Sequence, residues 1–478
     1  MKPTSEIWLL SLVAILHASV AQAVAPAERP NILIILGDDI DRDTLGPWGG
    51  QAHTPHLDQL AADGVRLENA SANVAMCAPF RQEFFSGRCA WRTRAIPNHS
   101  SSVLGTTSLP HYLRPLGYRV GLLGKKHIAP PAAYPFDNVG SLPQRDDPNP
   151  EALQQAKQYI TSARAAGDPF CLVVASHDGH APYTHGDRSR YPLAALTTPA
   201  DAIDTPRYRQ ELAAHLAEVS NLDALVGHLR DLLRQEELTD NTLVLFCSEQ
   251  GNAFPFSKWT CFDDGLACGI IAAFPGVIPA NTSCAELTWV ADIAPTLLTV
   301  AGGTPASFQC DGKSQWHNWL GNHQPVHEYA YGIFTNCNII DNRNRIFPIR
   351  SIRDTRYTLI WSPRAAEEIT SNVTLTQALR LTQGETLRGA PDTAASWVLA
   401  TGTGAGTREQ RLVERLHHRP EWALYDRAND PEELENVAGT SAYASIQRRL
   451  QTALSTWLAH WGDRDPVATE QRLLKKER

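Results

Sequence analysis

Between residues 29 and 274, short apolar runs alternate with stretches of helical periodicity. The runs are rich in Ile, Leu, Val and Phe and end near a Gly or a polar cluster, as buried strands of a parallel sheet do. They lie at residues 29–37, 118–124, 169–176, 242–248 and 268–274. Amphipathic stretches lie at residues 54–64, 150–167 and about 208–237. This alternation predicts an α/β fold with a doubly wound, mostly parallel sheet.

The last third of the chain has a different pattern. Residues 347–363 (FPIRSIRDTRYTLIWSP) alternate with a period near two, which predicts a half-exposed antiparallel strand. Polar text rich in Gly and Thr follows to about residue 408, and a final helix is predicted at 443–461. We therefore expect a main domain at 24–345, a smaller α+β subdomain built on an antiparallel sheet at 346–462, and a frayed, charged tail at 463–478.

The first 23 residues have the pattern of a secretory signal peptide. Lys2 is the positive end, residues 7–16 are the apolar core, and Ala21-Gln22-Ala23 is a small-x-small cleavage site. The apolar core is too short to span ~30 Å of hydrocarbon, so no membrane anchor is expected after cleavage. The sequence predicts export, to the periplasm or the medium, or to the lysosome in a eukaryote.

Charge and cysteine content limit the function classes. The chain has 43 basic and 51 acidic side chains and a net charge of −8, which argues against a nucleic-acid partner. An anionic substrate must then be held by a local cationic cluster. The nine cysteines are an odd number, so an exported chain keeps at least one unpaired or modified. Cys77 is a candidate because it lies outside the apolar runs.

Polar residues follow four of the predicted strands. Ligands of open parallel sheets bind outside the carboxyl ends of the strands, so these residues should share one rim. The four groups are Asp38 with Asp39, Lys125 with His127, His177 with His180, and Glu249 with Gln250, and Lys258 precedes the next strand. Each group alone also fits a helix cap, a solvated turn or an ordinary loop. Together they match a hard cation held by oxygen ligands and an oxyanion held by cationic side chains.

The stretch CAPFRQEFFSGR, residues 77–88, adds a cysteine to this rim. Cys77 could be a thiolate metal ligand, although hard cations prefer oxygen. It could be a nucleophile whose thiolate is favoured by Arg81 and a helix start. It could also be the precursor of another group.

At these residues the chain resembles the type I sulfatases. The signature Cys-x-Pro-x-Arg, followed by a helix that ends in Gly-Arg, is matched by residues 77–88. The family's opening strand that ends in two Asp, its Gly-Lys-x-His element and its late Lys-Trp-Thr element are matched at 31–39, 124–127 and 258–260. The resemblance covers nearly the whole chain after the signal, including 424–436.

The resemblance implies an alkaline-phosphatase-like sulfatase fold and a specific chemistry. Cys77 would be oxidised to formylglycine by a formylglycine-generating maturation enzyme, and the hydrate of that group would attack the sulfur of a bound sulfate. Calcium would polarise the sulfate and favour ionisation of the hydrate.

The resemblance also implies a role for each site residue. Four residues would bind calcium together with the modified Cys77: Asp38, Asp39, Glu249 and Gln250. Arg81 and Lys125 would steady the hydrate, and His127 would take the proton that lets sulfate leave. His180 and Lys258 would hold the sulfate and help to protonate the leaving atom.

Two positions depart from the family pattern. Glu249-Gln250 stands where Asp-Asn is usual, so each side chain is one methylene longer, which flexible calcium coordination tolerates. Phe80 follows Pro79 where Ser, Cys or Ala is usual, which bears on recognition by the maturation enzyme and not on the nucleophile.

The substrate class rests on three segments. Residues 124–137, with Asp137, the His177-x-x-His180 element and the FPIRSIR text resemble the heparan N-sulfatase branch, so the N-sulfate of glucosamine in heparin or heparan sulfate is the leading prediction. An O-sulfate of another sulfated carbohydrate is the close alternative. A phosphatase or phosphodiesterase of the same superfamily, which usually has a Ser or Thr nucleophile and two metals, and a non-catalytic glycan binder with unmodified Cys77 remain open.

Overall fold

The computed structural model describes residues 29–146, 149–335, 346–367 and 406–476. Its main sheet contains eight strands within those ranges, in the order β4-β3-β5-β1-β6-β7-β2-β8. The strands are β1 (Asn31–Leu36), β2 (Val65–Ser71), β3 (Arg119–Gly124), β4 (Asp137–Gly140), β5 (Phe170–Ala175), β6 (Thr242–Cys247), β7 (Ile270–Ala273) and β8 (Thr282–Trp289). Neighbours are parallel except around β7, which is antiparallel to β6 and β2. The predicted α/β, mostly parallel sheet is confirmed.

The central strands are the most regular part of the molecule. Every residue of β1, β5 and β6 is buried, which explains their continuous apolar sequences. Leu36 at the end of β1 pairs in register with Ala175 of β5 and with Cys247 of β6. Because Gly124 of β3 also pairs with Ala175, four strands end at one rim of the sheet. The segments that follow them therefore start side by side.

Helices cover both faces of this sheet. The helices of the main domain are α1 (Pro55–Ala62), α2 (Cys77–Ser86), α3 (Ala90–Thr93), α4 (Leu109–Leu113), α5 (Pro150–Ala166), α6 (Pro206–Gln235), α7 (Asp263–Leu266), α8 (Ile293–Val300) and α9 (Trp316–Trp319). Helices α1, α5 and α6 contribute to the apolar core on one face, and α2, α4 and α8 contribute to the core on the other. This two-faced packing is the doubly wound arrangement.

A second, antiparallel sheet carries the rest of the described chain. Its order is β12-β11-β10-β9, with β9 (Ala330–Phe334), β10 (Ile349–Arg353), β11 (Tyr357–Trp361) and β12 (Trp422–Asp426). Three helices follow or flank it: α10 (Arg408–His417), α11 (Ala444–His460) and α12 (Pro466–Lys476). Leucines at 450, 454 and 458 of α11 pack on this sheet. Strand β9 lies before residue 345, the boundary expected from the sequence.

The single half-exposed strand predicted at 347–363 is wrong. Asp354 accepts hydrogen bonds from the backbone N–H groups of Arg356 and Tyr357, which closes a turn between β10 and β11. All of β10 is buried, because its arginines have buried partners. The Arg353 guanidinium pairs with Asp263, and the Arg350 Nε lies 2.7 Å from the Asp463 Oδ2.

The charged tail expected at 463–478 is also different from the prediction. Residues 466–476 form the helix α12. Asp463 and Glu470 are fully buried beside Arg350, whose guanidinium also donates to two backbone carbonyls. Two acidic side chains of the predicted tail thus anchor this part of the chain to the second sheet.

Some predictions fall outside the described residues. These are the signal peptide at 1–23 and most of the Gly- and Thr-rich text, at 368–405. Within the part of the chain that the structure describes, no helix combines the length and apolar character needed to span a bilayer.

Candidate active site

The ends of β1 and β6 bring two acidic pairs together. Asp38 and Asp39 directly follow Gly37, whose N–H donates to the Cys247 carbonyl and so extends the sheet ladder by one residue. Asp39 then takes a left-handed conformation, with φ of 56°, and its backbone N–H donates to the Glu249 Oε2 at 3.2 Å. Asp38, Asp39, Glu249 and Gln250 are at most 1 % exposed. The segment after β1 and the segment after β6 are thus linked by a direct hydrogen bond.

Cys77 is the first residue of α2 and lies against these carboxylates. Its Sγ is 3.3 Å from the Asp39 Oδ1 and 3.2 Å from the Lys258 Nζ, and it is 1 % exposed. All ten residues of α2 are buried, so the helix start is fixed by packing on both sides. The unpaired N–H groups of a helix N-terminus favour negative charge. The thiol therefore lies where an anionic nucleophile is stabilised.

The charges around Cys77 change its acidity. Burial opposes ionisation of the thiol, but the ammonium groups of Lys125 and Lys258 and hydrogen bonds from His127 and His180 outweigh it. The pKa of Cys77 is consequently held well below its usual range. The other described thiols with a resolved shift, such as Cys171, have raised pKa values because burial opposes their ionisation and no neighbouring cation outweighs it. Cys77 thus differs from them in charge environment.

Arg81 crosses the floor of the site one helical turn after Cys77. It is fully buried, and its Nε lies 2.6 Å from the Glu249 Oε1 while its terminal nitrogen is 3.7 Å from the Asp38 Oδ1. It also donates to the carbonyls of Gly37 at 3.0 Å and of Lys125 at 3.2 Å. One guanidinium therefore ties α2 to the ends of β1, β3 and β6.

Two lysines and a histidine complete the cationic side. Lys125 pairs with Asp38, and Lys258 pairs with Asp39. The His180 Nε2 lies 3.5 Å from the Asp39 Oδ2, and this carboxylate raises the pKa of His180 to about 9. Burial raises the pKa of Asp39 to about 6. Desolvation also opposes ionisation of Asp38, but Lys125 keeps the pKa of that carboxyl below its usual value.

The acidic side of the cluster has the composition and spacing of a metal site. One potential ligand atom from each of Asp38, Asp39, Cys77 and Glu249 lies within 4.8 Å of the others. The Asp38 Oδ1 and the Gln250 Oε1 are buried and have no hydrogen-bond partner among the described residues. An oxygen-rich set that includes two buried oxygens without hydrogen-bond partners fits a hard cation such as calcium. The longer Glu249 and Gln250 side chains reach this cluster.

The structure adds His99 to the site, which the sequence did not predict, and places His177, one of the predicted rim residues, near Asp38. The His127 Nε2 lies 2.8 Å from the Nδ1 of His99, which belongs to the loop between α3 and α4. His177 is 3.9 Å from Asp38, and burial lowers its pKa to about 4. His177 had a signal, since it follows β5. His99 had none, because its loop has no periodicity and follows no strand of the main sheet.

The segments that suggested a substrate class contribute unequally to the site. Asp137 lies on the edge strand β4 and accepts hydrogen bonds from Arg114 at 2.7 Å and Tyr159 at 3.1 Å. Arg350 and Arg353 form the buried ion pairs described above. Residues 124–137 contribute Lys125 and His127 to the site. The His177-x-x-His180 element contributes its two histidines, which lie near Asp38 and Asp39.

Comparison with known proteins agrees with this geometry. A family model described as Sulfatase matches residues 30–303. An ulvan-active sulfatase of Formosa agariphila is 29 % identical over 92 % of this chain and 82 % of its own. The human N-sulphoglucosamine sulphohydrolase is 25 % identical over 92 % of this chain and 91 % of its own.

A solved structure shares the fold at lower identity. It is described as BT4656 in complex with its substrate D-glucosamine-2-N,6-O-disulfate. It superposes with a TM-score of 0.65 at 17 % identity, over 92 % of this chain and 99 % of that one. This likeness supports the assignment of the two-sheet architecture.

Proposed function

The chain belongs to the sulfatase family, a family of sulfuric ester hydrolases, and we propose that it removes sulfate from a sulfated glycan with a nucleophile made from Cys77. The observation that carries this proposal is the position of the Cys77 Sγ, 3.3 Å from the Asp39 Oδ1 and 3.2 Å from the Lys258 Nζ at the start of a buried helix. A side chain between a carboxylate cluster and ammonium groups can meet a cation and an oxyanion at once.

Two groups would complete the site. Formylglycine would be made from Cys77 by a maturation enzyme of the host, and its hydrate would supply an oxygen nucleophile towards sulfur. Calcium would supply positive charge for the sulfate oxygens and for the ionising hydroxyl. Asp38, Asp39, Glu249 and Gln250 are the residues that would hold calcium, with residue 77. The unsatisfied Asp38 and Gln250 oxygens support this assignment.

Side chains of the chain itself would position the nucleophile, bind the sulfate and transfer protons. Arg81 keeps the start of α2 against Glu249, so the nucleophile cannot swing away from the acidic cluster. Lys125 and Lys258 provide positive charge for the sulfate oxygens. His180 is protonated at neutral pH because its pKa is about 9, so it can give a proton to the leaving atom. His127 would hold or move the proton at the nucleophile.

The N-sulfate of glucosamine is the first candidate substrate. The similarity to the human N-sulphoglucosamine sulphohydrolase over nine tenths of both chains supports it. An O-sulfate of another polysaccharide is the second candidate, favoured by the higher identity to the ulvan-active sulfatase. Export, supported by the signal-like residues 1–23, would bring the enzyme to either polymer. A phosphatase role is less favoured, because a cysteine stands where those enzymes usually have Ser or Thr.

A substrate panel tests the proposal. The full chain, expressed with a formylglycine-generating enzyme, is assayed for sulfate release from N-sulfoglucosamine, glucosamine 6-sulfate and ulvan oligosaccharides, and for phosphate release from p-nitrophenyl phosphate. Cys77→Ala is expected to abolish release, whereas Cys310→Ala, a half-buried thiol elsewhere, keeps it. N-sulfoglucosamine is expected to have the highest kcat/KM. A preference for an O-sulfated sugar would select the second candidate, and a preference for phosphate would refute the proposal.

A further inference from the structure

We propose that His99 is a positioning residue for His127, and that Asn98 and His99 together determine which ring nitrogen of His127 carries the proton. The inference rests on the proposed function only in so far as His127 acts on the substrate. Its geometric part, the tautomer of His127, can be tested on the protein without any substrate.

The two histidines form a close and constrained pair. The His127 Nε2 is 2.8 Å from the His99 Nδ1, and the ring centroids are 4.8 Å apart with planes inclined by 36°. Both residues have a left-handed backbone, with φ of 48° at His127 and 61° at His99. Side-chain-bearing residues rarely adopt this conformation unless surrounding contacts hold them in it. The contact is therefore a fixed feature of two loops that are distant in sequence.

Asn98 indicates which histidine of this pair donates the hydrogen bond. Its Nδ2 lies 3.3 Å from the His99 Nε2, and an amide nitrogen can only donate, so the His99 Nε2 accepts. Burial and the neighbouring His127 lower the pKa of His99, so its ring is neutral at neutral pH. A neutral ring that accepts at Nε2 carries its proton at Nδ1 and donates it to the His127 Nε2. Neutral His127 must then carry its own proton at Nδ1.

The His127 Nδ1 is available for this proton, because the contact with His99 uses the other ring nitrogen. It is buried and has no hydrogen-bond partner among the described side chains and backbone groups. His127 is also close enough to Cys77 to contribute to the lowered pKa of that thiol. The Asn98–His99 pair thus leaves the proton at the His127 Nδ1 without a partner among the described residues. A lone imidazole without these partners would populate both tautomers.

Nitrogen NMR tests the tautomer directly. The full chain, labelled with ¹⁵N at histidine, is compared with His99→Phe, which keeps a ring of similar size without nitrogen, and His127→Gln assigns the signals of His127. The wild type is expected to show His127 protonated at Nδ1, and His99→Phe is expected to shift it towards the Nε2–H form. The same tautomer in both proteins, or Nε2–H in the wild type, would overturn the inference.

A double-mutant cycle tests the consequence for turnover. Rates are normalised to the formylglycine content at residue 77. His99→Phe is expected to lower kcat by about 10- to 100-fold, as loss of a partner that orients an active group typically does. His99→Asn, whose amide lies near the former Nδ1, should recover part of the rate. His53→Ala, at an exposed histidine elsewhere, should leave it unchanged.

The coupling decides between positioning and a merely structural role. The double variant His99→Phe/His127→Ala is expected to be no slower than His127→Ala alone, within about twofold, because the two residues act as one unit. Fully multiplicative losses would overturn the inference. If the chain proves to have no sulfatase activity, the proposed function fails, and the NMR comparison still decides the tautomer.

Discussion

Replacing Arg350 with Met is expected to destabilise the fold strongly and to leave substrate preference unchanged. Arg350 is fully buried, and its Nε lies 2.7 Å from the Asp463 Oδ2. The guanidinium also donates to the carbonyls of Phe334 and Ile349 at 2.9 Å and lies 5.5 Å from the centre of the Trp91 ring. It therefore joins β9 and β10 to the segment just before α12.

The size of the effect follows from what the substitution leaves behind. Met fills most of the volume, but Asp463 keeps a buried charge without its cation, and two carbonyls lose a donor. Removing one partner of a buried ion pair typically costs about 3–5 kcal/mol. Replacing both partners, as in Arg350→Met/Asp463→Leu, should recover much of that loss, because well-packed apolar pairs are often as stable as buried ion pairs. The difference in stability between the single and the double variant thus measures the cost of leaving Asp463 buried without a partner.

Urea unfolding at pH 7, followed by tryptophan fluorescence, gives the free energies of unfolding. Arg234→Met is the matched control, since Arg234 is 71 % exposed on α6, and it should change stability by less than about 0.5 kcal/mol. The ratio of kcat/KM for N-sulfated and O-sulfated sugars should be the same in Arg350→Met and in the wild type. A change below about 1 kcal/mol, or a changed substrate ratio, would refute the structural role of this arginine.

Three further predictions concern the same structure. Burial raises the pKa of Glu470 to about 8 from 4.5, so the folded state binds more protons than the unfolded chain between these values, and stability should fall as pH rises from 4.5 to 8. Urea midpoints across that range should show less of this fall in Glu470→Gln, and an identical slope would contradict the assignment. Asp38→Ala should lose bound calcium, measured by equilibrium dialysis, together with activity; full calcium retention would count against the proposed ligand set. Glu218, whose carboxyl group accepts from the backbone N–H groups of Gly179, Thr184 and His185 at 2.6–3.1 Å, fixes the loop that carries His180, so Glu218→Ala should lower kcat/KM by about 10- to 100-fold. An unchanged kcat/KM in a folded protein would refute that positioning role.

The centre of the fold was readable from the sequence because it is apolar on both faces. Strands β1, β5 and β6 appear in the sequence as nearly continuous apolar runs, a pattern that is typical of parallel strands buried on both faces. The rule that ligands bind at the carboxyl ends of such strands then groups Asp38, Lys125, His180 and Glu249, and the structure brings these residues together. Their roles in binding and catalysis remain proposals.

The outer strands could not be read in the same way. Strand β2 contains Arg66 and Glu68, which pair with each other at 2.8 Å on a half-exposed surface, so its sequence is typical of a loop. The hairpin of β10 and β11 depends on a turn at Asp354, and the burial of Arg350 depends on carboxylates more than 100 residues later. These features are set by tertiary partners, which local patterns do not contain.

The loop that carries His99 is the part of the site that the sequence did not predict. A single histidine without periodicity, without a neighbouring strand end and without a motif gives no signal in a sequence. Its relation to His127 exists only because two loops 28 residues apart close on each other. Such partners of active groups become visible only in three dimensions.

The proposed activity depends most directly on the chemistry of residue 77. Mass spectrometry of the peptide that contains it, on preparations made with increasing amounts of the maturation enzyme, gives the formylglycine fraction, and each preparation is assayed in parallel for sulfate release. The account predicts that activity rises in proportion to this fraction and is absent when residue 77 remains a thiol. Sulfate release at the full rate by a chain with unmodified Cys77 would contradict it.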